Sequence, residues 1–561
     1  GIWEPTLTCG RCVGDNRFFN RGSLAMALRH LFCIAVVLML FCCRAGLAAV
    51  PVPGVSSRTR PQLWLYYSTN LLVPGNVARL ERTWRRAAKY GYTHVLLSDS
   101  KLARLNDLGD IRKTYMAHLK AVETLAAHLK LEIVPGVFQI GYSNDLLFEN
   151  PALAAGLPVR NVKFIVHNNV AKPVLEWLVR PASAPSWKDN NVQLNGSTAT
   201  IHNNTGNSRL VFSIAVKPFH VYHIRVWIRT TAYSGSPHIR VLTKKDRELQ
   251  YEHVRVQATQ PWRRYDVVFD SLRHRHVAVY FGVWAGARGE LQWKRWSVRT
   301  AGLVNVLSRP GAPTVVSGYR SGIDYAPIRD PLLGNQPYAG EYQAWHKAPV
   351  IDFLHPVPNG KIIHVSWFYP PIFYNGQVSI SLKSRQTRHL LRRQIMAIGA
   401  ALHPQAYMMS FDEIRVMDWG DSGPPGMSPG QELAACAHFC TGLLGHARAY
   451  VWSDMFDPYH NARAHYFLVH GSLGGSWHGL DKQVVIVNWN FQHRQKSLHF
   501  FSSHGYRQII AGYYDGPLKN LRLWMTAARK VPGVRGYMYT TWRGDYQKLK
   551  RFAHIVNSYH Q

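Results

Sequence analysis

The sequence predicts an α/β fold, namely a (β/α)8 TIM barrel with an all-β jelly-roll sandwich inserted between barrel strands 3 and 4. Three observations support this fold class. Short β-branched runs alternate with helical patterns, which is typical of parallel βα units. Eight such runs occur, which is the number that closes a TIM barrel. A long middle region loses the helical period and alternates apolar with polar residues, which indicates antiparallel strands.

The eight candidate barrel strands lie towards the two ends of the chain. Predicted helices at 77–90 and 114–129 separate the first three strands. Further helices at 384–402 and 431–444 flank the fourth strand, because Leu, Ile and Ala recur there at spacings of three and four. The strands themselves are predicted at 63–67, 94–97, 132–138, 407–410, 449–452, 484–489, 508–512 and 536–541.

The interruption of the barrel divides the chain into further parts. Alternation of the kind seen at 222–229 (Tyr-His-Ile-Arg-Val-Trp-Ile-Arg) predicts a sandwich over 161–305, and modules of this type often bind carbohydrate. A mixed, Pro-rich segment at 306–383 is expected to cover or complete the barrel. The first part of the barrel is then 60–160, and the second part, with its acidic pair, is 384–561.

Residues 1–49 are predicted to be a leader and a signal peptide. A short basic start at 26–30 precedes an apolar run at 31–43, which is too short for a spanning helix, and small residues follow at 47–49. These features predict a secreted or periplasmic protein with no transmembrane segment in its mature chain. Whether residues 1–25 are translated stays open.

The amino-acid composition indicates which classes of binding partner are expected. Lys and Arg number 66 against 32 Asp and Glu, which gives a formal charge of +34. The basic residues are dispersed and no nucleic-acid-binding motif accompanies them, so contact with an anionic polymer or cell surface is favoured over nucleic acid. Five of the seven cysteines lie within 1–49, and Cys436 and Cys440 are expected to be buried thiols on one helix.

The candidate site comes from the residues that follow the barrel strands. A short apolar run at 406–411 ends in the adjacent carboxylates Asp412 and Glu413, although acids are scarce in this chain. Loops at the carboxyl ends of TIM-barrel strands converge on one face, where such enzymes keep their chemistry. The other candidates after these strands are Tyr142, Asp145, Trp452, Asp454, Asn488, Trp489, Tyr513, Asp515, Trp542 and Asp545.

These residue types fit the cleavage of a glycosidic bond. The reaction needs an acid that protonates the leaving oxygen and a second group that stabilises or traps the oxocarbenium-like centre. Repulsion between Asp412 and Glu413 is expected to raise the pKa of one of them, which favours a proton donor near neutral pH. Trp rings can stack on sugar rings. The spacing of His460 and His478 indicates no metal site, and we expect neither metal nor cofactor.

The barrel portion resembles the family 20 glycoside hydrolases, the β-N-acetylhexosaminidases. That family has an Asp-Glu pair after strand 4, a Trp-x-acid after strand 5, a Tyr-x-Asp after strand 7 and a Trp near the end of strand 8. The matching residues here are Asp412-Glu413, Trp452-Ser453-Asp454, Tyr513-Tyr514-Asp515 and Trp542.

The resemblance implies a role for each matching residue. Glu413 would be the general acid/base, while Asp412 and Tyr513 would hold the substrate's N-acetyl group, whose carbonyl attacks the anomeric carbon. Asp515 would bind a sugar hydroxyl. Three rings would wall the pocket, namely those of Trp452, Trp489 and Trp542.

The sequence thus predicts an exported glycoside hydrolase. The resemblance further implies a retaining, substrate-assisted reaction on glycans with terminal N-acetylhexosamine. Two alternatives stay open. One is a non-catalytic carbohydrate-binding or envelope protein on a barrel scaffold. The other is a barrel glycosidase of different sugar specificity, which would use two separated carboxylates.

Overall fold

A closed barrel of eight parallel strands forms the centre of the fold. The computed structural model describes residues 60–374, 376–420 and 426–559, so the predicted signal peptide at 1–49 lies outside the described residues. All eight predicted strands are confirmed, and they pair in sequence order until the eighth pairs with the first. Barrel strands 1 to 8 are Gln62–Ser68, His94–Ser98, Glu132–Val137, Ala406–Met409, Arg448–Trp452, Val485–Asn488, Gln508–Tyr513 and Val534–Thr540.

Successive side chains of the barrel strands point to two different parts of the core, one inside the barrel and one between the barrel and the helices. In strand 1, Trp64 points into the barrel and stacks on His94 with ring centroids 4.4 Å apart. Its neighbours Leu63 and Leu65 point outwards and pack in the layer of helices. Both faces are buried, which explains why these strands appear in the sequence as nearly continuous apolar runs.

Within the described residues, seven α-helices accompany the barrel strands. They are α1 Pro74–Lys89, α2 Arg112–Leu129, α3 Arg385–Leu402, α4 Pro429–Leu443, α5 Arg494–Ser503, α6 Lys519–Ala528 and α7 Leu549–Tyr559. Between strands 5 and 6 the described chain has only short 3-10 helices, at Asp454–Phe456 and Ser476–Gly479. The closed parallel barrel is therefore confirmed, whereas the helix expected after strand 5 is not formed. Further 3-10 helices are Ser100–Asp107, Gly109–Ile111 and Pro151–Leu153.

Two antiparallel sheets occupy the middle of the chain and enclose a core that includes the fully buried Trp293 and Trp296. The five-stranded sheet contains Trp187–Lys188, Ser208–Ala215, His238–Thr243, Glu248–His253 and His276–Val283. The six-stranded sheet contains Trp177–Val179, Val192–Asn195, Thr198–Asn204, Val221–Ser234, Gln260–Asp270 and Ala287–Thr300. Together these sheets form the sandwich.

A third antiparallel sheet flanks the sandwich. Its longest pair joins Leu157–His167 to Ile362–Tyr369, so the predicted mixed segment contributes a strand here. The remaining strands of this sheet are Val170–Pro173, Val315–Val316 and Ile351–Asp352. A separate two-stranded sheet joins Val416–Met417 to Leu468–Val469.

The sandwich packs on the loops of the barrel. Phe373, Val416 and Leu468 from these loops belong to the sandwich core. Gln250 of the five-stranded sheet donates a hydrogen bond to the carbonyl of Ile372 at 2.8 Å. This packing brings the edge of the five-stranded sheet next to the loops that follow the barrel strands.

One further prediction concerns helix α4. Cys436 and Cys440 are buried free thiols on α4, as expected. Within the described ranges, no helix is both long enough and apolar enough to cross a membrane.

Candidate active site

The loop after barrel strand 4 is held in an unusual backbone conformation. Glu413 has φ of +50°, which lies in the left-handed region that few non-glycine residues adopt. Its amide donates a hydrogen bond to Asp454 Oδ2 at 2.9 Å, and Asn461 Nδ2 donates to the same oxygen at 2.9 Å. A Cβ on Gly141 would overlap the Asp412 carbonyl oxygen, so the glycine allows the loop after strand 3 to lie against this turn.

This backbone turns the Glu413 carboxylate towards a buried cation. Arg415 Nη2 lies 2.9 Å from Glu413 Oε2, and the Arg415 side chain is only 3% exposed. The Tyr142 hydroxyl donates a hydrogen bond to the same oxygen. Burial acts to raise the pKa of Glu413, but the charge of Arg415 and these two hydrogen bonds outweigh it and lower the pKa. Glu413 therefore does not have the raised pKa expected of a proton donor.

Asp412 shows the opposite shift. Burial, with a further contribution from the charge of Glu413, raises the pKa of Asp412 to about 7. The backbone amide of Asp412 and the charge of Arg415 act in the other direction but do not outweigh burial. The expected like-charge repulsion thus acts on Asp412, because Arg415 compensates it at Glu413.

Asp454 is a third acid of the same site. It is fully buried, and burial followed by the charge of Asp412 raises its pKa to about 8. Besides the two bonds to Oδ2, its Oδ1 accepts a bond from Trp489 Nε1 at 3.3 Å. Since it holds the backbone of Glu413, Asp454 is a positioning residue for the pair.

Aromatic rings line the mouth of the barrel beside Asp412. Tyr66 from strand 1 packs edge-on against Trp452 and Trp542, with centroids 6.2 and 5.1 Å apart. Burial and, to a lesser extent, the charge of Asp412 raise the pKa of Tyr66. Trp489 lies edge-on to His460 at 4.4 Å. Burial lowers the pKa of His460 to about 4, so this ring is neutral at neutral pH.

The residues after strands 7 and 8 are connected to one another. Asp515 accepts hydrogen bonds from the Thr541 hydroxyl and from the amide of Trp542, the latter at 2.8 Å. Tyr513 is hydrogen-bonded to Asp515, and burial followed by the Asp515 charge raises the Tyr513 pKa. The resemblance paired Tyr513 with Asp412, whereas in this structure the hydroxyl next to the acidic pair is that of Tyr142.

Three other candidates are engaged in local structure. Asp145 accepts from Arg104 Nε at 3.0 Å, and Asp545 accepts from the amide of Gln547 at 3.0 Å. Asn488 is buried and donates to Gln508 Oε1 at 3.2 Å. Because their polar groups are bonded to neighbouring residues of the fold, these three residues are not assigned to the site.

Sequence reasoning did not assign roles to Arg415, His460, Asn461 or Tyr66. Arg415 was visible two residues after Glu413, but the left-handed turn that brings the two side chains together was not. In the ranges that the structure describes, no group of three or more His, Cys, Asp or Glu side chains is arranged to hold a metal ion.

Comparisons with known proteins leave the family of this chain undefined. No family model matches, and no curated protein matches. Similar solved structures include one described as CBM4, with 12% identity over 20% of this chain and 78% of that chain and a TM-score of 0.18. Another is the C-terminal CBM6 of LamC from Zobellia galactanivorans, with 14% identity over 23% and 100% of the two chains and a TM-score of 0.18. Similarity at these scores carries no argument about this chain.

Proposed function

We propose that this protein is an exported glycoside hydrolase with Asp412 and Glu413 as its catalytic pair. The observation that carries the proposal is that two adjacent carboxyl groups at the barrel mouth have different partners. Glu413 is bonded to Arg415 and Tyr142, whereas Asp412 is buried beside it, which shifts their pKa values in opposite directions. Such a pair provides a proton donor and an anion at the same pH, which is what glycosidic cleavage requires. The surrounding scaffold is in this proposal a TIM barrel that lacks one helix, with an inserted jelly-roll sandwich.

The pKa shifts favour Asp412 as the proton donor and Glu413 as the fixed anion. This exchanges the two roles that the family 20 resemblance implies. A carboxyl group with a pKa of about 7 is still half protonated at neutral pH, whereas the salt bridge to Arg415 keeps Glu413 ionised. Asp454 and Arg415 act as positioning residues, because they hold the backbone and the carboxylate of Glu413.

The nucleophile in this proposal is the 2-acetamido carbonyl oxygen of the substrate, since Glu413 Oε2 is already bonded to Arg415 and Tyr142. That oxygen attacks the anomeric carbon while the bond to the leaving oxygen breaks, and the leaving oxygen takes the proton of Asp412. Glu413 accepts the acetamide N–H and balances the positive charge of the ring that forms. Water then opens this ring and gives a proton to Asp412, with overall retention at the anomeric carbon.

The half-buried Trp489 and Trp542 supply apolar faces for the sugar ring, and Asp515 lies at the same edge of the barrel. Trp452, which was predicted to wall the pocket, is buried in the barrel interior and supports Tyr66 instead. A neutral sugar fits a mouth in which Arg415 and Glu413 neutralise each other. The proposed location is secreted or periplasmic, as the segment at 1–49 predicts.

A screen of 4-nitrophenyl glycosides, with and without a 2-acetamido group, tests the proposal. We expect hydrolysis of the acetamido compounds, which Glu413→Gln should abolish and Asp412→Asn should slow, with the larger Asp412→Asn loss on glycosides whose leaving groups are poorer than 4-nitrophenol. The matched control is Asp545→Asn, whose carboxylate is used locally and whose loss is expected to leave the rate unchanged. The assignment would be contradicted if Glu413→Gln or Asp412→Asn hydrolysed such a glycoside at the wild-type rate.

The bonded state of the Glu413 carboxylate also favours a second function, namely sugar binding without turnover. In that case Arg415 and Tyr142 would keep Glu413 as an acceptor for sugar hydroxyl groups. Calorimetry would then detect binding of an N-acetylated disaccharide to the wild type, while no glycoside in the screen would be hydrolysed.

A further inference from the structure

A row of rings leads from the candidate site across the outer face of the sandwich. It begins at Arg415, whose guanidinium lies 4.3 Å from the centroid of the Tyr374 ring. Tyr374 contacts Tyr251 and His253 of the five-stranded sheet, at 5.0 and 5.1 Å between centroids. We call this the aromatic row, and its members are Tyr374, Tyr251, His253, His238, Trp284 and Tyr280.

The row continues along the sheet at similar spacing. His253 lies 4.3 Å from His238, and His238 lies 5.6 Å from Trp284. Trp284 in turn lies 5.9 Å from Tyr280. The row is therefore several rings long, and every step in it is a direct ring contact.

Strand alternation explains why these residues share a face. His238 pairs with His253 and Arg240 pairs with Tyr251 across neighbouring strands. The intervening Ile239 and Val241 are fully buried in the sandwich core. Rings at every second position thus face away from the core, where a sheet of this kind would otherwise carry ordinary polar residues.

Four of the six rings of the row are partly exposed, whereas His238 and Tyr251 are buried. Tyr280, Trp284, His253 and Tyr374 are all half-buried. Half-buried aromatic rings with polar edges suit sugar rings, because the apolar face of the sugar can stack while its hydroxyl groups bond at the edges.

The two arginines that lie over rings of the row, Arg415 and Arg240, each have a carboxylate partner. Arg240 lies over the Tyr251 and Trp284 rings at 4.7 and 4.8 Å, and it forms an ion pair with Glu248. Burial lowers the pKa of His238 to about 3 and that of His253 to about 4, so both rings are uncharged at neutral pH. The surface therefore suits a neutral chain rather than an acidic one.

We propose that the aromatic row binds a neutral glycan chain that extends from the barrel mouth over the sandwich. The substrate is then a chain of several sugars, and the sandwich holds the part beyond the cleaved bond. This inference rests on the proposed function, since the row begins at Arg415 of the same site.

The proposal is tested by measuring the binding of oligosaccharides of increasing length. The probes are di-, tetra- and hexasaccharides of N-acetylglucosamine, and the readout is the Kd by calorimetry for the full chain carrying Glu413→Gln. We expect affinity to rise with length. Adding Trp284→Ala should weaken hexasaccharide binding roughly three- to tenfold, the range expected for one stacking ring, and leave the disaccharide unchanged.

Trp262 on the six-stranded sheet offers the matched control. It is also half-buried and outward-facing, under Lys294 at 3.9 Å, but it lies outside the row. Trp262→Ala should leave every Kd unchanged, and Trp284→Phe should keep most of the hexasaccharide affinity because a ring remains. Thermal unfolding of the alanine variants shows whether a loss of binding reflects a loss of folding. If Trp284→Ala does not fold, Tyr280→Ala at the end of the row is the second test, with the same expected loss of hexasaccharide affinity.

The outcomes separate this inference from the proposed function. Turnover of short acetamido glycosides with no gain in affinity on longer chains would overturn the aromatic row alone. Equal losses in Trp284→Ala and Trp262→Ala would do the same, as would tighter binding of a hexagalacturonic acid than of the neutral hexasaccharide. Absence of both turnover and binding would overturn the two proposals together.

Discussion

The barrel mouth and the sandwich both contain buried aspartates, but these aspartates have different neighbours in the two regions. Asp270 of the sandwich is fully buried, and burial raises its pKa to about 8. One of its oxygens accepts from the Leu272 amide at 2.7 Å, and its Oδ2 has no partner among the described residues. At the barrel mouth, burial acts on three acids at once, and Arg415 reverses its effect on Glu413 alone.

The difference shows what a raised pKa can and cannot indicate. Burial by itself shifts a lone carboxyl group, as at Asp270, without creating a site. A pair with opposite shifts requires a buried cation next to one member, and in this fold that arrangement depends on the left-handed turn at Glu413. The coupling between neighbouring acids therefore identifies the barrel mouth better than any single pKa does.

The strongest test of this difference is to substitute the two members of the pair separately. If Asp412 is the proton donor, Asp412→Asn should slow hydrolysis by about 10²–10⁴-fold for glycosides with poor leaving groups. The loss should be much smaller for a dinitrophenyl glycoside, whose leaving oxygen needs little protonation. Glu413→Gln should slow all of them alike. Steady-state rates across a leaving-group series provide the measurement, and the reverse pattern would restore the roles implied by the family resemblance.

The buried cation gives the next largest expected effect. Arg415→Met would leave the Glu413 carboxylate without its partner, and breaking a buried pair in this way costs about 3–5 kcal/mol of stability. The control is Arg393→Met on the surface of the barrel, where Arg393 lies 2.8 Å from both Asp107 and Glu149. Urea unfolding should show a change of about 1 kcal/mol or less for these two partly exposed ion pairs. Equal losses in both variants would contradict a special role for Arg415.

Asp270 tests the sandwich side of the comparison. Its native pKa lies above its ordinary value of 3.8, so the folded state keeps a proton that the unfolded chain releases, and stability should fall as pH rises from about 4 to about 8. Asp270→Asn should remove this dependence and add about 2–4 kcal/mol at pH 8.

Asp266 on the same strand is the matched comparison for Asp270. Burial acts to raise its pKa, but His223 at 2.7 Å and neighbouring arginines lower it. Asp266→Asn should therefore destabilise the protein at neutral pH. Denaturant midpoints across the pH range check both variants. If Asp266→Asn stabilised the protein, the partners of these two aspartates would not determine whether a substitution stabilises or destabilises it.

The smallest expected effect concerns the hydrogen bond of Trp489 to Asp454. Trp489→Phe removes one donor at 3.3 Å and keeps a ring, so we expect a loss of about 1 kcal/mol in transition-state stabilisation. The kcat/KM of the variant measures this, and a loss as large as that of Asp412→Asn would mean that Trp489 contacts the reacting groups.

Much of the barrel could be predicted because its strands are buried on both faces and therefore stand out as short apolar runs. Helices α5, α6 and α7 were not among the predicted helices, and α5 gives only a weak helical period because its buried face combines Ser497 with Leu498 and Phe501. The pairing of Leu157–His167 with Ile362–Tyr369 was also missed, because partners so far apart in the chain leave no local signal.

At the site, strand ends were enough to predict the place of Asp412 and Glu413. They could not predict the direction of the pKa shifts, because these depend on Arg415 and on the backbone angle of Glu413. For the same reason Asp145 and Asp545 were included in the predicted site. Their position after a strand is visible in the sequence, but their ion-pair and hydrogen-bond partners are not.

The central claim is that Asp412 holds a proton near neutral pH while Glu413 is ionised. Infrared difference spectra between the wild type and Asp412→Asn, recorded as a pH titration, measure this directly because a protonated carboxyl group absorbs apart from a carboxylate. We predict that the protonated band lost in Asp412→Asn titrates with a midpoint near pH 7, and that Glu413→Gln removes no such band at pH 6. A midpoint near 4 for Asp412, or a neutral-pH protonated band that disappears in Glu413→Gln because it belongs to Glu413, would contradict the account.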